Sequence, residues 1–340
     1  MILILGSGRS GTTFLAKLFD SHPRVLYRHE PDWLLVGNSI PFQPRLDELE
    51  RYRDQTSRYL DSLAQVRSPK VSVHLPLFHK QYRSPARQRL QNGFALAAKT
   101  LARLPGLEHR MSVPDLVDAA APRPVTVIKS VNSLNRARLF LAAKPELRIL
   151  HIVRHPCGVV ASQLRGAEKR LMKNEVFFDS LYRMENVAKY GLARDEMARR
   201  TLEEQLAFQW MVTNDSVLGE MAGAPGYRLM RYEDLCLDTG AVVDDLFSFC
   251  GLQKNAQTDR FVHHLEGQES GSAAYFSVVR SPRKAMFKWK AELKSEQMAQ
   301  VDEIAGRSDI GSLYTADDCR FPLATASWKS ASTIKTGIPG

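Results

Sequence analysis

With 340 residues, 44% of them hydrophobic and 25% charged, the chain has the composition of a globular protein able to bury a substantial core. No stretch reaches the roughly 20 apolar residues that a membrane-spanning helix needs, and the four cysteines, Cys157, Cys236, Cys250 and Cys319, form no C-x-x-C pair, which fits neither a disulfide framework nor a zinc site. The net charge of +10 suits nucleic acid, an anionic nucleotide or an acidic substrate alike, because summed positive potential attracts all of them.

The chain opens MILILGSGRSGTTFLAKL. Its apolar run is too short for a secretory leader and no basic segment precedes it, so a cytoplasmic protein starting on a strand is expected. Short aliphatic runs at residues 3–5, 24–27, 125–128, 147–153 and 227–230 read as strands buried on both faces. Helical signals follow several of them. Residues 12–19 space apolar side chains three and four apart, Pro156 stands in a first helical turn, and residues 238–250 end at Gly251, a C′ glycine. Strands alternating with helices predict an α/β fold with a mostly parallel, doubly wound sheet and helices on both faces, which binds ligands at the carboxyl ends of its strands.

A single domain over residues 1–320 is expected, with insertions at about 39–122 and 165–204 and a loosely held tail at 321–340. Both insertions are basic or dense in charge; they either cap a substrate site or present solvated helical faces.

The first turn carries the strongest chemical signal. A strand, a glycine-rich loop and a helix start aim backbone N–H groups at one point, which makes an anion site. Gly6 and Gly11 have the spacing of G-x-x-x-x-G-K-[ST], but Thr12 stands where the phosphate-binding lysine belongs, which disfavours an ordinary nucleoside triphosphatase. The cation has moved to Arg9, whose fork of donors suits a phosphate or sulfonate oxygen. A second element is RILHIVRHPCGVVASQL, in which Arg154 ends a strand and Ser162 lies eight residues on.

The loop GSGRSGTTFL resembles the 5′-phosphosulfate loop of sulfotransferases that use 3′-phosphoadenosine 5′-phosphosulfate (PAPS), in the form found in their carbohydrate-modifying branch, and RILHIVRHPCGVVASQL resembles that family's 3′-phosphate element. The resemblance implies a P-loop-containing fold, PAPS as co-substrate and adenosine 3′,5′-bisphosphate (PAP) as product, with no metal. It implies that Arg9, Ser10, Gly11, Thr12 and Thr13 cradle the 5′ phosphate and that Arg154 and Ser162 hold the 3′ phosphate. SPRKAMFKWKAEL resembles the family's closing basic segment, so Arg283 and Lys284 become further 3′-phosphate ligands and Trp289 a packed aromatic. MRYEDL and LFSFCGL also resemble family elements; they are read as structural, with Arg231 and Glu233 an ion pair bracing the sheet.

Lys129 in VIKSVN matches the family lysine that acts on the bridging oxygen or the sulfonate, but Val131 stands where the small-phenol branch has a catalytic histidine. His74-Leu75-Pro76-Leu77 imitates the missing motif far from its place and reads as coincidence. The expected base is Glu30 in YRHEPDW, at the end of the second strand; the catalytic set is Glu30, Lys129 and Arg9. His29 is a rival, although neighbouring strand-end residues point opposite ways, and Asp32 is a third choice. His151 and His155 share a four-residue spacing but flank Arg154 on a strand and its turn rather than a helix, and no carboxylate or cysteine completes a set of ligands; His263-His264 reads as a solvated pair.

The acceptor implied is a hydroxyl on a glycan or glycolipid, with the basic insertion suited to an acidic one. Two other classes compete. A P-loop kinase would need a lysine after Gly11 and an acidic Mg²⁺ ligand. A binder of nucleic acid would show a helix-turn-helix, a zinc finger or aromatics interleaved with basic residues, and none is present.

Overall fold

The computed structural model describes residues 1–35, 40–102, 111–171, 175–267 and 282–314, without the side chains of Pro282 and Lys284. The tail expected at 321–340 and Cys319 lie outside these residues. Five parallel strands, β1 (Ile2–Leu5), β2 (Val25–His29), β3 (Val125–Ser130), β4 (Arg148–Val153) and β5 (Tyr227–Arg231), form one sheet in the order β2-β3-β1-β4-β5. All five were legible as aliphatic runs. β1 is central, with Ile4 opposite Lys129 on one side and Leu150 on the other. The chain winds left from β1 and then right, so the loop after β1 leaves the sheet at its switch point.

The longer helices are α1 (Thr12–Asp20), α2 (Leu49–Gln65), α3 (Pro85–Leu101), α4 (Pro156–Glu168), α5 (Leu202–Met221), α6 (Thr239–Phe249), α7 (Ala256–Glu266) and α8 (Ser295–Ala305). Alternation along β1 divides the core. Ile2 and Ile4 pack with Leu15 and Phe19 of α1 and Phe247 of α6, whereas Leu3 and Leu5 pack with Leu60 of α2, Phe140 and Val217 of α5. Side chains of successive strand residues face opposite ways, so a strand buried on both faces needs helices on both. A third cluster joins α4, α5 and α8 through Val159, Phe208, Met211 and Ile304.

Local signals were obeyed. Pro156 opens α4, and after α6 Gly251 takes φ +68°, so that Leu252 donates back to the Phe247 carbonyl at 2.8 Å. The first insertion contributes to both core and cleft. α2 buries Tyr59, Leu60 and Leu63 in the core, whereas residues 70–76 reach the carboxyl edge of the sheet.

Candidate active site

The carboxyl ends of β1, β2, β3 and β4 open into a cleft of about 1120 Å³. Its floor is the loop after β1. Gly11 caps α1 at φ +100°, where a Cβ would lie 2.3 Å from the Tyr232 ring, and at Gly6 a Cβ would lie 2.5 Å from the Ile152 carbonyl oxygen. Only glycine meets both demands, left-handed backbone at one and close approach at the other. α1 has no acidic residue in its first turn, so its N-terminal amides meet the cleft with the positive end of the helix.

Arg9 holds φ +72° and Glu30 holds φ +46°, two of three non-glycine residues with positive φ among the described residues. Left-handed backbone is strained for such side chains and tends to persist where function requires it. The Arg9 Nε donates to Ser162 Oγ at 2.9 Å. Arg154 donates to the carbonyls of Arg9 (3.4 Å) and Ala285 (3.2 Å), and its guanidinium lies 4.7 Å over the Tyr232 ring. Its Nε is buried without a partner, as are the hydroxyls of Ser7 and Ser10. Gly158 makes room for it, since a Cβ there would lie 2.8 Å from that Nε. Buried donors left unsatisfied beside a cleft fit an anionic ligand.

On the other side of the loop, Lys129 Nζ donates to Glu30 Oε1, and the Glu30 amide donates to the Lys129 carbonyl at 2.8 Å. Burial pulls the Lys129 ammonium below its ordinary range, opposed by the Glu30 carboxylate. His29 and Glu30 both line the cleft, which corrects the expectation that only one would. The left-handed turn at Glu30 takes the chain out of the pleat, so the two no longer alternate. Asp32, the third choice, does not line the cleft: it is buried, accepts from Ser130 and from Ser133 (2.9 Å), and braces the end of β3. Burial raises its pKa.

Other expectations are corrected. Arg283 is exposed and donates to the Leu237 carbonyl at 2.7 Å, turned from the cleft to a helix end that attracts a cation. The Lys284 side chain lies outside the described residues. The closing segment instead brings Lys288 and Trp289 to the cleft. Ser162 accepts from Arg9 and, at 3.5 Å, from Arg165. Arg231 pairs with Asp234 at 2.6 Å, while Glu233 accepts from the His155 amide (3.0 Å) and the Tyr314 hydroxyl (3.2 Å).

The segment at His74 lines the cleft. Buried Lys17 of α1 donates to the carbonyls of His74 (2.8 Å) and Pro76 (2.7 Å), and the His74 ring packs on His29 with centroids 4.4 Å apart. A contact made through backbone carbonyls leaves no trace in a motif. His155, Cys157 and Asp302 also meet, within 4.8 Å, which corrects the expectation that no cysteine or carboxylate would join His155: Cys157 is two residues on and Asp302 comes from α8. The three bond to one another and to the backbone: His155 Nδ1 takes the Cys157 amide at 3.2 Å, and Cys157 Sγ donates to Asp302 Oδ1 at 3.4 Å. Burial, and then the Asp302 carboxylate, raises the thiol pKa, and His155 caps the start of α4. Trp289 is packed, stacked on His155 at 4.4 Å. His263 is exposed, as expected.

Sequence reasoning missed Tyr232, Arg165 and Lys288. Arg165 was within reach, since it lies three residues after Ser162 on one helix and so shares its face.

Residues 2–256 match the sulfotransferase family. The chain is 25% identical over 323 residues to carbohydrate sulfotransferase 6 of Homo sapiens, covering 89% of this chain and 78% of that protein. It is 26% identical over 354 residues to carbohydrate sulfotransferase 7 of Rattus norvegicus, covering 88% and 71%. Among solved structures, the sulfotransferase domain of the Synechococcus PCC 7002 olefin synthase has a TM-score of 0.41 and 18% identity, covering 90% of this chain and 94% of that one. With most of its length matched and the loop of Arg9 at the switch point of a parallel sheet, the chain belongs to the sulfotransferase family.

Proposed function

We propose that this chain moves a sulfuryl group from PAPS to a hydroxyl of a glycan or glycoconjugate, by in-line transfer with Glu30 as the proton acceptor. The observation that carries the reading is the meeting of Lys129 and Glu30 at one side of a cleft whose floor holds Arg9, Arg154 and orphaned donors. The donor set fits a nucleotide with phosphates at two positions. The amides of Ser10, Gly11, Thr12 and Thr13, the threonine hydroxyls and Arg9 would hold one, and Arg154 and Ser162 the other.

PAPS supplies an activated sulfonate on a good leaving group. Two tasks remain for the chain: stabilising charge as it develops and taking the acceptor proton. Lys129, buried at the end of β3, would stabilise charge on a leaving oxygen. Glu30 keeps one carboxylate oxygen on Lys129 and directs the other toward His29, leaving it to accept a proton from a hydroxyl. The relatives named carbohydrate sulfotransferases support a sugar acceptor, and so do exposed Trp33 and the lysines Lys70 and Lys99 on the cleft wall; an aromatic face suits a sugar ring, and cations suit an acidic one.

Calorimetric titration with PAP in the absence of Mg²⁺ tests the reading. Saturable binding that Mg²⁺ does not alter is expected. Mg²⁺-dependent ATP binding without PAP binding would assign a kinase instead.

A further inference from the structure

Beyond the two groups assigned to the reaction, a histidine occupies the acceptor side of the cleft in a fixed orientation. His29 Nδ1 lies 2.7 Å from the Tyr27 hydroxyl. Tyr27 is buried, and that hydroxyl has no other partner among the described residues. A buried hydroxyl donates its proton to whatever acceptor it has, so Tyr27 donates to Nδ1 and the ring's hydrogen resides on Nε2. The ring is packed against His74, whose plane is tilted 37° to it with centroids 4.4 Å apart and whose own Nε2 donates to the Lys70 carbonyl at 2.8 Å. Burial first, then His74, Lys129 and Lys70, pulls His29 down to about 2, so the imidazole is neutral. Its Nε2 lies 3.8 Å from Glu30 Oε2, too far for a hydrogen bond between them.

We infer that one acceptor hydroxyl enters this gap, its oxygen accepting from His29 Nε2–H while its proton faces Glu30 Oε2, and that this clamp selects oxygen over nitrogen acceptors. The inference rests on the sulfotransferase reading above. A hydroxyl oxygen has two lone pairs: one accepts from His29 and the other attacks sulfur. The new O–S bond forms as the sulfonate's bond to the phosphate oxygen breaks. The hydroxyl proton passes to Glu30, and the bisphosphate leaves with the electron pair. A neutral amine has a single lone pair, and the Nε2–H would occupy the very pair it needs for attack. His29 is therefore a specificity residue that touches the acceptor, and Tyr27 a positioning residue that acts through it.

The tautomer is tested without any ligand. In the full chain with ¹⁵N-labelled histidines, the His29 resonance, assigned by its loss in His29→Gln, is expected as neutral Nε2–H at pH 7, and Tyr27→Phe is expected to shift it toward a tautomer mixture. An Nδ1–H or doubly protonated ring would overturn the clamp. Transfer of labelled sulfuryl groups is then compared on glycosides carrying a free primary hydroxyl and on the same glycosides with that hydroxyl replaced by an amine. His29→Phe is expected to lose about tenfold or more on the alcohols and nothing on the amines. His29→Gln, which restores an N–H near the Nε2 position, recovers the alcohols. PAP affinity stays at the parent value in both. Equal alcohol-to-amine ratios in the parent and His29→Phe, with PAP bound normally, would overturn the clamp alone. Failure of the parent to bind PAP would overturn the donor reading and the clamp with it, and absence of transfer to every glycoside would overturn the sugar acceptor on which it rests.

Discussion

Arg9 Nε donates to Ser162 Oγ at 2.9 Å across 153 residues of sequence, tying the loop after β1 to the helix after β4. The two elements that resemble nucleotide-binding motifs are thus one structure, and the hydroxyl of Ser162 orients Arg9 as well as facing the cleft. Removing it should cost the hydrogen bond, worth about 1 kcal/mol and more where the donor is charged. Ser162→Ala is expected to weaken PAP binding roughly tenfold by calorimetry, with thermal stability little changed. Unaltered affinity would mean that Arg9 keeps its place without the tether.

Glu30→Gln keeps an oxygen for Lys129 but abolishes the proton acceptor. Turnover should fall by roughly 10²–10⁴, measured by transfer from labelled donor, while PAP affinity stays within a factor of about two. Near-normal turnover would remove Glu30 from the role of base.

At Gly158 a Cβ would lie 2.8 Å from Arg154 Nε and 3.3 Å from Trp289. Gly158 lies in the first turns of α4 with ordinary backbone angles, so alanine does not strain the chain and the collision falls on the arginine. Gly158→Ala should therefore weaken PAP binding at least tenfold and leave the melting temperature nearly unchanged. Gly11→Ala is the contrasting case: the left-handed backbone and the Tyr232 ring 2.3 Å away predict lost stability as well as lost binding.

His151 sits in the middle of the sheet, bonded to the Tyr227 hydroxyl at 2.8 Å and Asn214 Oδ1 at 3.1 Å, and burial pulls it down to about 4. In the unfolded chain it takes a proton near pH 6.5. The folded state keeps it neutral, so its contribution is complete above about pH 6.5 and is lost as the pH falls toward 4, by roughly 3 kcal/mol. Melting curves between pH 7 and 4.5 should show the parent losing stability on acidification faster than His151→Gln. Parallel slopes for the two proteins would sink the assignment.

What local order along the chain determined was the set of elements and the donor loop. The five strands are aliphatic runs, the helices carry their own proline and glycine signals, and a turn with Gly6, Arg9 and Gly11 can be read because neighbouring residues build it. Side chains that meet only through folding were beyond such reading. Arg283 turned away because a helix end attracts it, Asp32 was taken by two serines, and His29 joined Glu30 because one residue left the pleat. Tyr27 and His29, two apart on β2, share a face by strand alternation, and His74 joins them where Lys17 holds the backbone of residues 74–76. Hydrogen bonds to backbone carbonyls and ring contacts between distant segments impose no residue spacing, so the arrival of His74 on the acceptor side of this cleft was decided by the tertiary structure alone.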